Sequence, residues 1–379
     1  MKFTVSSSDL LEHLQNIGSV ISNKTNTPIL DDFLFTLEDG QLWMTASDQE
    51  ATMITSMMVA DSEGNGSICV SALTLLQALR EMSNQVVTFD MNTQNGAVSL
   101  LTETGHSDFG GESADQYIRL PEINTEESNT LSIAAQDLLY NIEKVSIATS
   151  TDDKRPILTA LYFGITPEMV TTAATDSHKL IRLRNLNVKG DKDCSFMLPR
   201  KSASLLKKVL AKEEMDIEIQ FDSKFIFFQT SNYKLICRQI EGKFPDYNKV
   251  IPTNNEIKLV INREDLISRI RRVSVFANKA DNMVKMEMSN QSNTIIKAQD
   301  IDLSRESEEK ISCSYDGPAM TLGFKSQYFL ELLNNVNTED IEITISDPTR
   351  PVLIYPYGIS EEEAAKHELV QLIMPVMTM

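Results

Sequence analysis

The residues best suited to metal or nucleophilic chemistry are four histidines and four cysteines, and their spacing serves neither. His13, His106, His178 and His367 form no HxH or HExxH group, and Cys69, Cys194, Cys237 and Cys313 stand too far apart for a metal knuckle or a redox pair. No GxxxxGK[ST] phosphate loop and no GxSxG elbow occurs. Gly64-Asn65-Gly66 reads as a turn, and Gly110-Gly111 has no helical pattern after it. The run Asp176-Ser177-His178 invites a hydrolase reading. Triad residues, however, are gathered from distant parts of a chain, so a turn histidine on a binding surface fits better. Acidic pairs such as Asp31-Asp32 and Asp152-Asp153 read as solvated faces. The expectation is a non-catalytic protein with no cofactor and no metal.

Charge and apolar residues carry more information. The 379 residues have a net charge of −19 and are 41% hydrophobic, which argues for a folded acidic body and against a simple basic nucleic-acid binder. The cations are unevenly placed. Lys2, Lys24, Arg80 and Arg119 are the only ones in the first 130 residues, whereas Lys144, Lys201, Lys208, Arg269 and Arg272 fall on or beside recurring helical patterns. Arranged around a centre, those elements would present a positive lining that touches phosphates without reading bases. The plainer alternative is the solvent face of amphipathic helices. The last eleven residues, Leu369 to Met379, include eight Leu, Val, Ile or Met. A final core strand accounts for Leu369 to Ile373, but Pro375 cannot continue it, and a Met-rich end suits an adaptable peptide-binding surface. No apolar run reaches membrane length and no cleavable leader is visible, so a soluble cytoplasmic protein is expected.

The elements that must position these residues repeat. A polar start, an apolar pair and a further apolar residue recur with the pair beginning at Leu10, Leu75, Leu138, Leu205, Leu266 and Phe329, at intervals of 65, 63, 67, 61 and 63 residues. Each copy has the spacing of a short amphipathic helix with a Ser or Asp cap nearby. Between them lie strand patterns such as Phe225–Phe228, Ile257–Ile261 and Ile341–Ile345, and turn signals at Asp39-Gly40, Asn95-Gly96 and Asp316-Gly317. Longer motifs mark every second half-unit: Thr45-Ala46-Ser47-Asp48, Ala173-Ala174-Thr175-Asp176 and Lys297-Ala298-Gln299-Asp300. The predicted fold is therefore α+β, with three similar domains at 1–127, 128–253 and 254–379. Each is built of two half-repeats of one helix plus antiparallel strands.

Thr27-Pro28-Ile29-Leu30, the Thr175–Leu180 turn, Phe244-Pro245-Asp246-Tyr247, Gly323-Phe324 and the terminal Met374-Pro375 occur in this order in a chain of this length. Together with the periodicity they make the whole chain resemble the bacterial DNA polymerase III β subunit, the sliding clamp. The resemblance implies a head-to-tail homodimeric ring with helices lining the hole around double-stranded DNA, bound without sequence preference. It also implies partners that dock through short linear motifs: the replicative polymerase, the clamp loader and repair proteins. Carried onto this sequence, the docking site comprises Leu158, Thr175, Ser177, His178, Lys179 and Leu180 on one wall. Pro245, Lys249, Val250, Tyr328, Thr349, Pro351, Leu372, Ile373, Met374, Pro375, Val376 and Met377 form the other. The family commonly has Gly at Ser177 and Arg at Lys179 and Lys249, and the Thr-Met tail is an addition. Lys24 matches a DNA-contacting arginine, and Phe109, Val275 and Phe276 lie where the family forms its subunit interface. A membrane role is not implied. An oligomeric peptide-binding scaffold with no DNA-facing role is the alternative.

Overall fold

Ser6, Ser71 and Asn262 each end a strand and start a helix. Their side chains accept hydrogen bonds from the backbone N–H groups of Asp9, Thr74 and Asp265, satisfying donors that the first helical turn leaves open. The computed structural model describes residues 1–22, 27–289 and 293–377. The candidate DNA contact Lys24 lies outside the described residues.

One order of elements occurs three times: strand, helix, three strands, strand, helix, three strands. The first pass is β1 (Lys2–Ser6), α1 (Ser7–Gly18), β2 (Asp32–Glu38), β3 (Gln41–Ser47), β4 (Ala51–Met58), an added β5 (Ala60–Glu63), β6 (Gly66–Ser71), α2 (Ala72–Arg80), β7 (Val86–Met91), β8 (Ala97–Leu101) and β9 (His106–Ser113). The second is β10 (Asn129–Ala134), α3 (Ala135–Ser146), β11 (Ala160–Ile165), β12 (Val170–Thr175), β13 (Lys179–Asn185), β14 (Cys194–Pro199), α4 (Arg200–Leu210), β15 (Asp216–Phe221), β16 (Phe225–Gln229) and β17 (Tyr233–Arg238). The third is β18 (Ile257–Asn262), α5 (Arg263–Ser274), β19 (Met283–Met288), β20 (Asn293–Asp300), β21 (Arg305–Asp316), β22 (Met320–Lys325), α6 (Ser326–Asn334), β23 (Asp340–Ile345), β24 (Val352–Tyr357), an added α7 (Glu361–Lys366) and β25 (His367–Ile373).

All six predicted helices form, each with its apolar pair inside α1 to α6. The expectation of six is corrected by α7, whose start is fixed by the Ser360 hydroxyl accepting from the Glu363 N–H. At the β2–β3 turn, Asp39 and Gly40 have φ of 49° and 79°, the double left-handed geometry of a tight hairpin.

The chain gathers into two compact units, Met1–Leu139 with Lys201–Gln239, and Tyr140–Arg200 with Ile240–Met379. Each holds one antiparallel sheet. In the first unit thirteen strands run β10-β15-β16-β17-β4-β3-β2-β6-β9-β8-β7-β1-β5, and in the second twelve run β14-β11-β12-β13-β25-β24-β23-β18-β21-β20-β19-β22. The second pass is thus shared between the units. Its last strand β17 pairs with β4 (Tyr233↔Thr55 to Cys237↔Ala51), and its β13 pairs with β25, the last strand of the third pass (Lys179↔Ile373 to Asn185↔His367). Both seams join the fourth strand of one pass to the last strand of the next.

By the same positions, β21 and β9 are the remaining pair of this kind. Among the described pairings, residues 305–312 of β21 bond only β20, and residues 106–110 of β9 bond only β8. Stacked phenylalanines fill both units, Phe3 on Phe89 at 5.2 Å in the first and Phe163 on Phe196 at 4.8 Å in the second.

Candidate functional site

The motif Thr175–Leu180 forms the β12–β13 turn. Asp176 Oδ1 accepts the N–H groups of His178 (2.8 Å) and Lys179 (2.9 Å), and Thr175 Oγ1 donates to the Lys179 carbonyl (2.8 Å). Ser177 has φ of +78°, a left-handed conformation that glycine adopts without cost. The Arg155 guanidinium donates to its hydroxyl at 3.1 Å. Ser177 and His178 are pushed to the surface while Lys179 and Leu180 turn inward.

Pairing of β13 with β25 brings the apolar carboxy-terminal segment to this turn. Leu180 stands opposite Leu372, the Met374 N–H donates to the His178 carbonyl (2.9 Å), and beyond Pro375 the Val376 N–H donates to the Gly323 carbonyl (2.8 Å). Leu180, Leu353, Val370 and Leu372 form a buried cluster, with Tyr247, Ile251, Tyr355 and Met374 packed on it half-exposed. Burial pushes the Tyr247 and Tyr355 phenols up. On α6, Tyr328 stacks on His178 with centroids 5.4 Å apart. The Lys179 ammonium lies 4.7 Å from the Tyr328 ring centroid, bonded to Glu331 and 3.5 Å from Asp176. Arrayed here are an apolar floor, a stacked aromatic wall and a methionine-bearing lip, with no nucleophile–base pair.

The sequence-predicted site residues divide by exposure. Ser177, His178, Pro245, Lys249, Val250, Thr349 and Met377 are exposed; Leu158, Thr175, Tyr328, Pro351, Met374, Pro375 and Val376 are half-buried. Lys179, Leu180, Leu372 and Ile373 are buried, so they support the surface beneath it. Val250 and Pro245 do not join the Leu180 cluster as its floor. Tyr247, which opens the 3-10 turn Tyr247–Lys249, and Ile251, whose N–H donates to the Tyr247 carbonyl (3.2 Å), do. Leu158 follows Ile157, which packs with Tyr247 around Phe244. Thr349 is held by Asp347, which accepts both its N–H (2.9 Å) and its hydroxyl (2.6 Å). Sequence reasoning missed Tyr247, Ile251, Glu331 and Asp176 as parts of this site. Of these, Asp176 is visible in the turn motif itself and Tyr247 in the Phe244–Tyr247 motif.

The basic residues need a larger revision. Lys144 is corrected as a DNA-facing group: it is 8% exposed, and its ammonium donates to the Asn335 carbonyl and to Asn337 Oδ1 (3.2 Å). Burial lowers its pKa. Lys201 is half-exposed and bonded to Asp48 and to the Val20 carbonyl (2.9 Å). Arg269 donates to the Lys310 carbonyl (3.0 Å) and pairs with Asp265, and Arg272 is exposed but paired with Glu309. Arg80 and Lys208 are exposed. At the expected interface Val275 and Phe276 are 71% and 39% exposed just past α5, and Phe109 is half-buried on β9.

Three family models match in succession: the N-terminal, central and C-terminal domains of the DNA polymerase III beta subunit, over residues 1–121, 132–246 and 248–377. The chain belongs to this family. The beta sliding clamps of Staphylococcus epidermidis and Staphylococcus aureus are 27% and 26% identical to it, over all of both chains. Among solved structures, the Streptococcus pyogenes beta subunit superposes with a TM-score of 0.92 at 23% identity, and the Pseudomonas aeruginosa one with 0.92 at 22%. Each covers the full length of both chains and shows the same fold. In this beta-clamp fold, the helix-and-sheet repeats of the present chain place the Leu180–Leu372 cluster at a seam between strands of the second and third passes.

Proposed function

We propose that the protein is a DNA sliding clamp. Two copies, each contributing domains 1–127, 128–253 and 254–379, close head to tail into a ring around duplex DNA and confer processivity on the replicative polymerase. The observation that carries this reading is the unfinished repeat of seams. β4 meets β17 and β13 meets β25, while among the described residues the corresponding edges of β21 and β9 have no strand partner along 305–312 and 106–110. A second copy supplies both, and two such contacts close a cyclic assembly with no strand edge left open there. Phe109, Val275 and Phe276 would lie at those contacts.

In this ring the protein has no catalytic task. Arg80 and Lys208, with Lys201, Arg269 and Arg272 in supporting ion pairs, would hold duplex through phosphates alone, which permits sliding. The groove of Leu180, Tyr247, Ile251, Tyr328 and Met374–Met377 would receive short linear motifs of the polymerase, the clamp loader and repair proteins in turn. A leucine-sized anchor is worth roughly 1.5–3 kcal/mol in transfer terms. Once ordering costs are subtracted, that suits exchangeable binding. The test is primer extension on a long circular single-stranded template with the cognate polymerase and clamp loader. Addition of the protein should convert short products into full-length ones within a single polymerase-binding event. Product lengths that do not change would refute it.

A further inference from the structure

The groove's aromatic wall rides on a helix that is fixed from behind. Tyr328 and Glu331 project from α6 to His178 and Lys179. The start of α6 has no side-chain cap, because Lys325, which precedes it, offers no acceptor. Its buried apolar residues, Phe329, Leu332 and Leu333, hold it by contacts that have no direction. The directional contacts gather at its other end, where a helix leaves its last carbonyls open to outside donors. α6 carries no basic residue of its own in that turn. Donors come from two other elements instead. On β25, Gln371 is fully buried, and its amide N–H donates to the Leu332 carbonyl (3.0 Å). On α3, the Lys144 ammonium donates to the Asn335 carbonyl. Asn335, the residue that caps α6, joins the two. Its side-chain amide donates to Gln371 Oε1 (2.9 Å) and to the backbone carbonyl of Lys144 (2.9 Å).

We infer that Gln371 and Asn335, with Lys144 behind them, are positioning residues of the docking groove: they set the rise and rotation of α6 and, through it, the Tyr328 ring over His178. The inference rests on the docking reading above and names residues that tune it. Asn335 follows Tyr328 by seven residues, so about 10 Å of helix separates the bridge from the ring. Over two turns a helix carries a rotation or a shift from one end to the other as a unit. The bridge is a closed set of hydrogen bonds in the interior, where such bonds specify one arrangement of the elements that they join. Gln371 is enclosed, so a docked peptide does not touch it. Its effect on the peptide therefore passes through α6.

The experiment is fluorescence anisotropy of a labelled clamp-binding peptide from the cognate polymerase, with sedimentation and thermal unfolding of the same samples in parallel. Gln371→Met keeps the length of the side chain and removes both of its hydrogen bonds. It should weaken peptide binding roughly 2- to 30-fold while the variant stays folded and keeps the wild-type assembly state. Asn335→Ala, at a half-buried position, should act in the same direction. In a Tyr328→Ala background, which lacks the wall, neither substitution should weaken the peptide further. A general loss of stability acts equally in both backgrounds, so this comparison separates positioning from support of the fold. Wild-type affinity in both Gln371→Met and Asn335→Ala overturns the inference and leaves the groove reading standing. Equal weakening with and without Tyr328, or a Tyr328→Ala chain that binds as the wild type does, overturns it as well. Unfolding of both single variants also overturns it, since the bridge would then serve the fold. A wild-type chain that binds no peptide removes the docking reading and this inference with it.

Discussion

Deleting residues 375–379 separates docking from assembly. The deletion keeps the Met374 N–H bond to His178 and the Leu372–Leu180 pair, but removes the Val376 N–H bond to Gly323, the half-buried Pro375 and Val376, and the 83%-exposed Met377. One backbone hydrogen bond contributes about 0.5–1.5 kcal/mol net, so the second unit should lose on the order of 1 kcal/mol and remain folded. The groove loses its lip. A bound peptide that gives up contacts equivalent to one apolar anchor forfeits roughly 1.5–3 kcal/mol, a 10- to 150-fold weaker dissociation constant. Fluorescence anisotropy of a labelled clamp-binding peptide from the cognate polymerase, against intact and shortened protein, reads this directly, with sedimentation run in parallel. Equal affinities would refute the groove assignment. Loss of the dimer on deletion would show that the tail holds the assembly instead.

Four further outcomes follow from the described geometry. At Ser177, where φ is +78°, Ser177→Gly should leave thermal stability within about 0.5 kcal/mol, whereas the β-branched Ser177→Val should cost roughly 1–3 kcal/mol in chemical denaturation. Burial, with Glu112 and Asp31 adding to it, raises the Asp32 carboxyl from 3.8 to about 6. The folded state therefore holds this proton more tightly, the penalty of ionisation is absent below pH 3.8, and it develops as pH rises to about 6. Because the group is half-exposed, Asp32→Asn should stabilise by only about 1 kcal/mol at pH 7.5 and by nothing near pH 3.5, as read from denaturation midpoints. Lys144→Met should cost about 1–3 kcal/mol by stranding the Asn335 carbonyl and leave DNA retention unchanged, while Arg80→Glu with Lys208→Glu should reduce retention at unchanged stability.

The local elements were legible from sequence because their signals are local. An apolar pair followed three residues later by another apolar position, near a Ser or Asp, marks α1, α2 and α5, although the cap of α5 is Asn262 and not Asp265, and Asp39-Gly40 marks its hairpin. Helix α7 was missed although Ser360 and Glu363 stand at capping spacing, because its six residues carry none of the Leu, Ile or Phe pairs that mark the repeated helices. The seams were not legible. β4 and β17 are some 180 residues apart, and nothing in an alternating strand names its partner. The candidate surface was legible in part: the Met-rich end and the His178 turn read as a binding surface by themselves, and the remaining docking residues came through the family resemblance. Of its supports, Tyr247 belongs to the Phe244–Tyr247 motif, whereas Ile251 and Glu331 contact it from other elements and carry no motif. Lys144 shows the limit most sharply. It sits in the last turn of an amphipathic helix, where a solvent-facing lysine and one reaching a carbonyl in another element have the same sequence signature.

The central claim is that the ring holds DNA by topology. Labelled protein should be loaded by its clamp loader onto a nicked circular duplex and separated from free protein by gel filtration at elevated salt, before and after cutting the circle once. A closed sliding ring stays with the intact circle and is lost from the linear molecule through its ends. Retention that is equal on both forms, or that vanishes from the intact circle as salt rises, would contradict the account.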